Sequence, residues 1–172
     1  MTALLLLALT AAADPASGLA VGQKPGPYSF LVASGPDRGK PTCYICEQGD
    51  KPTAVVFART LSPSIGKLLA ALDGVMIAKS DSGFKAWMTV LADTADLDGL
   101  AKWTQAQGLK SVAVGGFEDA DGPPAYKIAK DADVTVILFV KKKVVANYSF
   151  RTGELTEAKI AAIAKEVPAA VK

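Results

Sequence analysis

Thr53-Ala54-Val55-Val56-Phe57-Ala58, bounded by Pro52 and Arg59, is an unbroken apolar run of strand length. A strand with one wet face alternates apolar and polar residues, so a run without alternation predicts a strand covered on both faces. Just beyond it, Ser62-Pro63 supplies an N-cap and then the proline favoured at the first helical position. The helix that follows is predicted to carry Ile65, Leu68, Leu69 and Leu72 on one face and to stop at Gly74.

Outward from this unit the same alternation of strand and helix continues. Residues 28–33 read as a first strand, and 34–50, rich in Gly, Pro and charge, as a loop. Residues 86–91 are predicted to form a third strand. A helix over 93–107 follows, with Leu97, Leu100 and Ala101 inward and Gly108 as its stop. A short strand at 111–114 and a brief helix at 124–130 come next. Val134–Val140 is a second continuous apolar run, expected to lie beside Thr53–Ala58 in the sheet. Lys141-Lys142-Lys143 is read as the hairpin turn into a strand over 144–150, and a helix over 156–166, apolar at Ile160 and Ile163, closes the chain. Strands alternating with helices, then a hairpin and a last helix, make an α/β layered sandwich.

The chain has 172 residues, half of them apolar, 21% charged, with a net charge of +2. That fits one globular domain and excludes a disordered chain. No basic stripe with interleaved aromatics points to nucleic acid. Leu4-Leu5-Leu6-Leu7-Ala8-Leu9 is too short to span a bilayer and runs into the small residues Ala11-Ala12-Ala13. Residues 1–13 are therefore expected to be a secretory signal peptide, 14–27 an extended lead and 28–167 the domain. Export would place the chain in the periplasm or outside the cell, where disulfides are the default.

The order of elements and their residues resembles the thioredoxin-like superfamily, in its redoxin and thiol-disulfide-reductase branch. Val21-Gly22-Gln23-Lys24-Pro25-Gly26-Pro27-Tyr28-Ser29-Phe30 is similar to that branch's "VGxxxPxF" opening, and Thr53 to Arg59 to its central strand. Ala125-Tyr126-Lys127-Ile128-Ala129 through Val134-Thr135-Val136-Ile137-Leu138-Phe139 resembles the segment before its C-terminal hairpin, and Tyr148 to Ile163 its closing strand and helix. The likeness spans about residues 21–167 and implies a three-layer sandwich, a central mixed β-sheet flanked by helices. It fails at the chemistry. The family's redox cysteines should fall near Ser62 and Ile65, and Val134 stands where the family carries a cis-proline. A cis bond at valine costs about 2.5–4 kcal/mol, so a trans bond is expected.

The chain's only cysteines, Cys43-Tyr44-Ile45-Cys46, precede the central strand, and it has no histidine. Residues three apart in a strand stand about 10 Å from one another. A disulfide needs Cα atoms within about 7 Å. If bonded, 43–46 therefore form a tight turn or one helical turn; if extended, both thiols are free. Arg38 and Lys40 favour a thiolate, Glu47 and Asp50 oppose it, and no helix start is evident at the pair, so a weakly activated thiol is expected.

Three readings stay open. Cys43, taken as the more exposed nucleophile, and Cys46 as its resolving partner would exchange disulfides with a protein thiol. Alternatively the pair only clips a loop on a binding or scaffold module. Or two thiolates form half a zinc site that no second CxxC or histidine completes. No cofactor is expected, and no oligomeric state follows from the sequence. Ser62 without any histidine base reads as a helix cap, Trp87 and Trp103 as packing residues, and Asp93, Asp96 and Asp98 as carboxylates at a helix start.

Overall fold

The computed structural model describes residues 14–170, so the expected signal peptide lies outside the described residues. Strand β3 (Thr53–Ala58) is buried at all six positions. Its side chains divide between two cores: Ala54, Val56 and Ala58 join one, Val55 and Phe57 the other. This is why the run shows no alternation. β3 pairs in parallel with β4 (Lys85–Leu91) and antiparallel with β6 (Val134–Val140), as expected for the two continuous apolar runs. With β1 (Phe30–Val32), β2 (Pro41–Thr42), β5 (Ala113–Phe117) and β7 (Lys143–Phe150), the sheet has the order β2-β1-β5-β4-β3-β6-β7.

The chain steps from β3 to β4 to β5 in one direction across the sheet. Parallel crossovers are right-handed, so two successive steps the same way put both connecting helices on the same face. Helix α2 (Pro63–Ala78) and helix α3 (Leu97–Ala106) accordingly pack on the first core, joined by α4 (Glu157–Ala170). Among the described residues no long helix covers the second core. It is covered by residues 19–28, by the five-residue α1 (Tyr44–Gln48) and by a 3-10 turn at Pro124–Tyr126.

Ser62 caps α2, its Oγ accepting the Ile65 N–H at 3.3 Å. The helix does not stop at Gly74. It runs another turn to Ala78, because buried Val75 continues the apolar stripe and Gly74 is not in the left-handed region. The brief helix expected at 124–130 is the 3-10 turn alone, ended by Lys127 at φ 55°. β5 begins two residues later than expected and runs through Gly115 and Gly116. A Cβ on Gly115 would meet the Leu31 carbonyl oxygen at 2.2 Å, so only glycine lets β1 approach there. Lys141 and Lys142 sit at φ 51° and 57° between the paired Val140 and Lys143, the two-residue hairpin geometry that matches strand twist.

Candidate functional site

Residues 43–46 are not part of a loop, contrary to the expectation for 34–50. Cys43 is the N-cap of α1, and its carbonyl accepts the N–H groups of Cys46 at 3.0 Å and Glu47 at 3.3 Å. This single helical turn brings the Cα atoms of Cys43 and Cys46 to 5.3 Å, and the two sulfurs are bonded. Of the two geometries open to the pair, the bonded turn is the one adopted. The helix is too short to carry much dipole, and Cys43 makes no side-chain cap bond.

Tyr44, between the cysteines, fastens the turn to the second core. It is buried, with edge contacts to Phe30 at 5.5 Å and Trp87 at 5.6 Å between ring centroids. The Lys85 ammonium lies 3.8 Å from its ring centre, and its hydroxyl donates to Asp37 at 3.1 Å. Burial, and then the bond to the Asp37 carboxylate, push the Tyr44 hydroxyl up to about 12. Behind it, the Trp87 Nε1–H donates to the Tyr28 hydroxyl at 2.7 Å, which shares a hydrogen bond with Thr89 at 2.9 Å. Both tryptophans are packing residues, Trp87 fully buried and Trp103 against the first core.

Exposure reverses the expected order of the two cysteines: residue Cys46 is exposed and residue Cys43 half-buried, Cys43 leading directly into anchored Tyr44. The charges differ from expectation as well. Arg38 pairs with Asp98 at 2.5 Å and Lys40 with Asp37 at 3.7 Å, so both nearby cations are engaged by carboxylates. Glu47 pairs with Lys85 at 3.8 Å. Cys46 instead shares a small pocket of about 170 Å³ with Pro25, Gly26, Pro27, Ile45 and Lys142. Sequence reading missed Lys142 and the Pro25–Pro27 segment as neighbours of the pair, since both are remote in the chain.

At the Ala58 end of β3, where the resemblance locates redox cysteines, the residues make a latch. The Arg59 guanidinium donates to the carbonyls of Ala132 at 3.0 Å, Ala129 at 3.1 Å and Ala120. The Thr60 hydroxyl donates to both Asp133 carboxylate oxygens, at 2.9 and 3.0 Å. Val134, opposite Ala58, has the trans peptide bond expected; there are no cis bonds among the described residues. Beside the latch an apolar pocket of about 440 Å³ is lined by Leu61, Val90, Leu100 and Trp103. Asp96 caps α3, accepting the Gly99 N–H at 2.9 Å, and Asp98 is the partner of Arg38. Among the described residues no three potential metal ligands converge, and no helix is long and apolar enough to cross a membrane.

No protein-family model matches the chain, and no curated protein matches it. Solved structures do. A protein described as the thiol:disulfide interchange protein DsbE of Chlorobium tepidum superposes with a TM-score of 0.69 at 14% identity, covering 90% of this chain and 99% of that one. A protein described as a disulfide isomerase of Bacteroides thetaiotaomicron gives 0.68 at 14%, covering 90% and 92%. The peroxidoxin BcpB of Mycobacterium tuberculosis gives 0.62 at 13%, covering 88% and 97%. At these identities the likeness is one of fold: the seven-stranded mixed sheet with its helices is thioredoxin-like, and it carries a CxxC disulfide.

Proposed function

We propose that the protein exchanges disulfides with protein thiols through the Cys43–Cys46 couple, and does so after export. The observation that carries this reading is the unequal placement of the two cysteines, one an exposed residue and one half-buried next to core-anchored Tyr44. A partner thiolate attacks Cys46 Sγ and forms a mixed disulfide there. The bond to Cys43 breaks, and Cys43 leaves as a thiolate that takes a proton from solvent. A second thiolate of the partner then attacks the partner's own sulfur in the mixed disulfide and releases Cys46. The partner loses two electrons and the couple gains them; the reverse sequence reduces a partner disulfide. Export rests on the apolar stretch at 4–9 and the small residues that follow it.

A second reading, a scaffold module clipped at 43–46, is favoured by two observations. Tyr44 holds the turn firmly in the second core, and neither Arg38 nor Lys40 is left to activate a thiolate. The bond closes a loop with a sequence separation of only 3, worth about 2 kcal/mol in a chain-entropy account. The cysteines can therefore be replaced without losing the fold. An exchanging couple should equilibrate with glutathione above about −300 mV. Cys46→Ser should abolish insulin reduction while remaining folded, its melting temperature lowered by no more than the roughly 4–8 °C that about 2 kcal/mol represents. A lower potential, together with no wild-type exchange above buffer, establishes the clip and ends the redox reading.

A further inference from the structure

The second feature of the Cys46 surroundings is charge. Lys142 lines the same pocket as Cys46, and Lys141 and Lys143 flank it on the exposed hairpin. Lys24, also exposed, precedes Pro25, which lines the same pocket, and this segment is held to the hairpin by the Val144 N–H donating to the Gln23 carbonyl at 2.9 Å. The four ammonium groups make no ion pair among the described residues. The carboxylates around them are few. Glu47, on α1, is paired with Lys85 at 3.8 Å, and Asp50 is exposed, its carbonyl receiving the Lys141 N–H at 3.1 Å. Lys142 beside Cys46, with three further unpaired cations adjoining the pocket's lining residues in the chain, forms a local field and not a general one on a chain whose net charge is only +2.

We infer that this lysine cluster selects the partner: the thiol that exchanges with Cys46 belongs to an acidic protein segment, with carboxylates close to its reactive cysteine. This rests on the exchange reading above. Like charges packed together repel one another, and an arriving set of carboxylates relieves that repulsion while steering the thiolate toward Cys46. The attacking thiolate is itself an anion, so the same field lowers the cost of bringing it to the sulfur. The pocket at Cys46 is too small for more than a side chain. The charges extend beyond it along the hairpin and the lead, which suits an extended segment crossing both.

The test uses the oxidised full chain and two synthetic dithiol peptides with the same cysteine spacing, one flanked by glutamates and one by glutamines. At about 0.01 M salt the acidic peptide should be oxidised about tenfold faster, and the ratio should fall toward one at about 1 M, where the Debye length is about 3 Å. In the variant Lys24→Gln, Lys141→Asn, Lys142→Asn, Lys143→Gln, with asparagine placed where φ is positive, the ratio should be near one at every salt concentration. Replacing the same four lysines by arginine should restore it. Exchange that is equally fast with both peptides in the wild type overturns the acidic-partner inference and leaves the exchange reading standing. Lysine-dependent binding to anionic lipid vesicles without discrimination between the peptides overturns it in favour of a membrane surface. No oxidation of either peptide overturns both readings.

Discussion

At the Ala58 end of β3, Arg59 donates to three carbonyls and Thr60 to a buried carboxylate. At the Thr53 end Cys46 stands exposed beside a hairpin of lysines. The resemblance read from the sequence implies chemistry at the first position, yet there the polar groups hold one loop to another. The second position is peripheral to the scaffold and carries both cysteines. Sheet order fixes how the layers stack but not where a reactive group sits.

The largest effect that can break this contrast is alkaline. Tyr28, Tyr44 and Tyr126 all lie in the second core, beneath the disulfide, and burial holds all three hydroxyls above their ordinary range, Tyr44 at about 12. In the unfolded chain they ionise near 10. Above that pH the unfolded chain releases protons that the folded one keeps, so stability is full below about pH 10 and falls as pH rises through the folded values. Thermal melts followed by far-UV circular dichroism should lose transition temperature steeply from pH 10. A melting temperature flat to pH 11 would show that these hydroxyls are not held neutral by the fold.

At the other end, Arg59→Ala should cost about 3 kcal/mol in urea unfolding, since it removes hydrogen bonds from a charged donor to three carbonyls at once. Exchange by the cysteines should persist in the folded variant. Unchanged stability would remove the latch from the comparison. The smallest effect is at Ser62, where alanine should cost about 1 kcal/mol through the lost cap and leave exchange as it was. A Ser62→Ala protein of wild-type stability without activity would return function to the Ala58 end.

Much of the scaffold was legible because burial writes itself into residue type. β3 and β6 were readable as neighbours from two continuous apolar runs, and α2 from Ser62-Pro63. Its end was not, since Gly74 breaks helices only when the chain can gain by leaving, and Val75 still had a core to fill. α1 was invisible for a different reason. Five residues carry no helical period, and what holds them is a disulfide and one buried tyrosine. The candidate site was half readable: the cysteine spacing restricted the pair to a turn or two free thiols. Which sulfur faces solvent depended on where Tyr44 finds its pocket, among Phe30 and Trp87 far along the chain. Arg59 was legible only as the residue that ends an apolar run, because its acceptors are backbone carbonyls some sixty to seventy residues later.

The second face is covered by chain segments remote from one another in sequence, and this bears on how the protein comes into being. The Ser17 hydroxyl bonds that of Thr135 at 2.7 Å, the Gly18 N–H reaches the Lys127 carbonyl at 3.1 Å, and Asn147 Nδ2 donates to the carbonyls of Ser17 and Leu19. Every one of these partners is synthesised more than a hundred residues after the segment it holds. The part of the chain made first is therefore fitted last. Until β7 has left the ribosome, the aromatic face of the sheet lacks the cover of residues 17–19, and for that interval it offers an adhesive surface to a chaperone or to a neighbouring nascent chain.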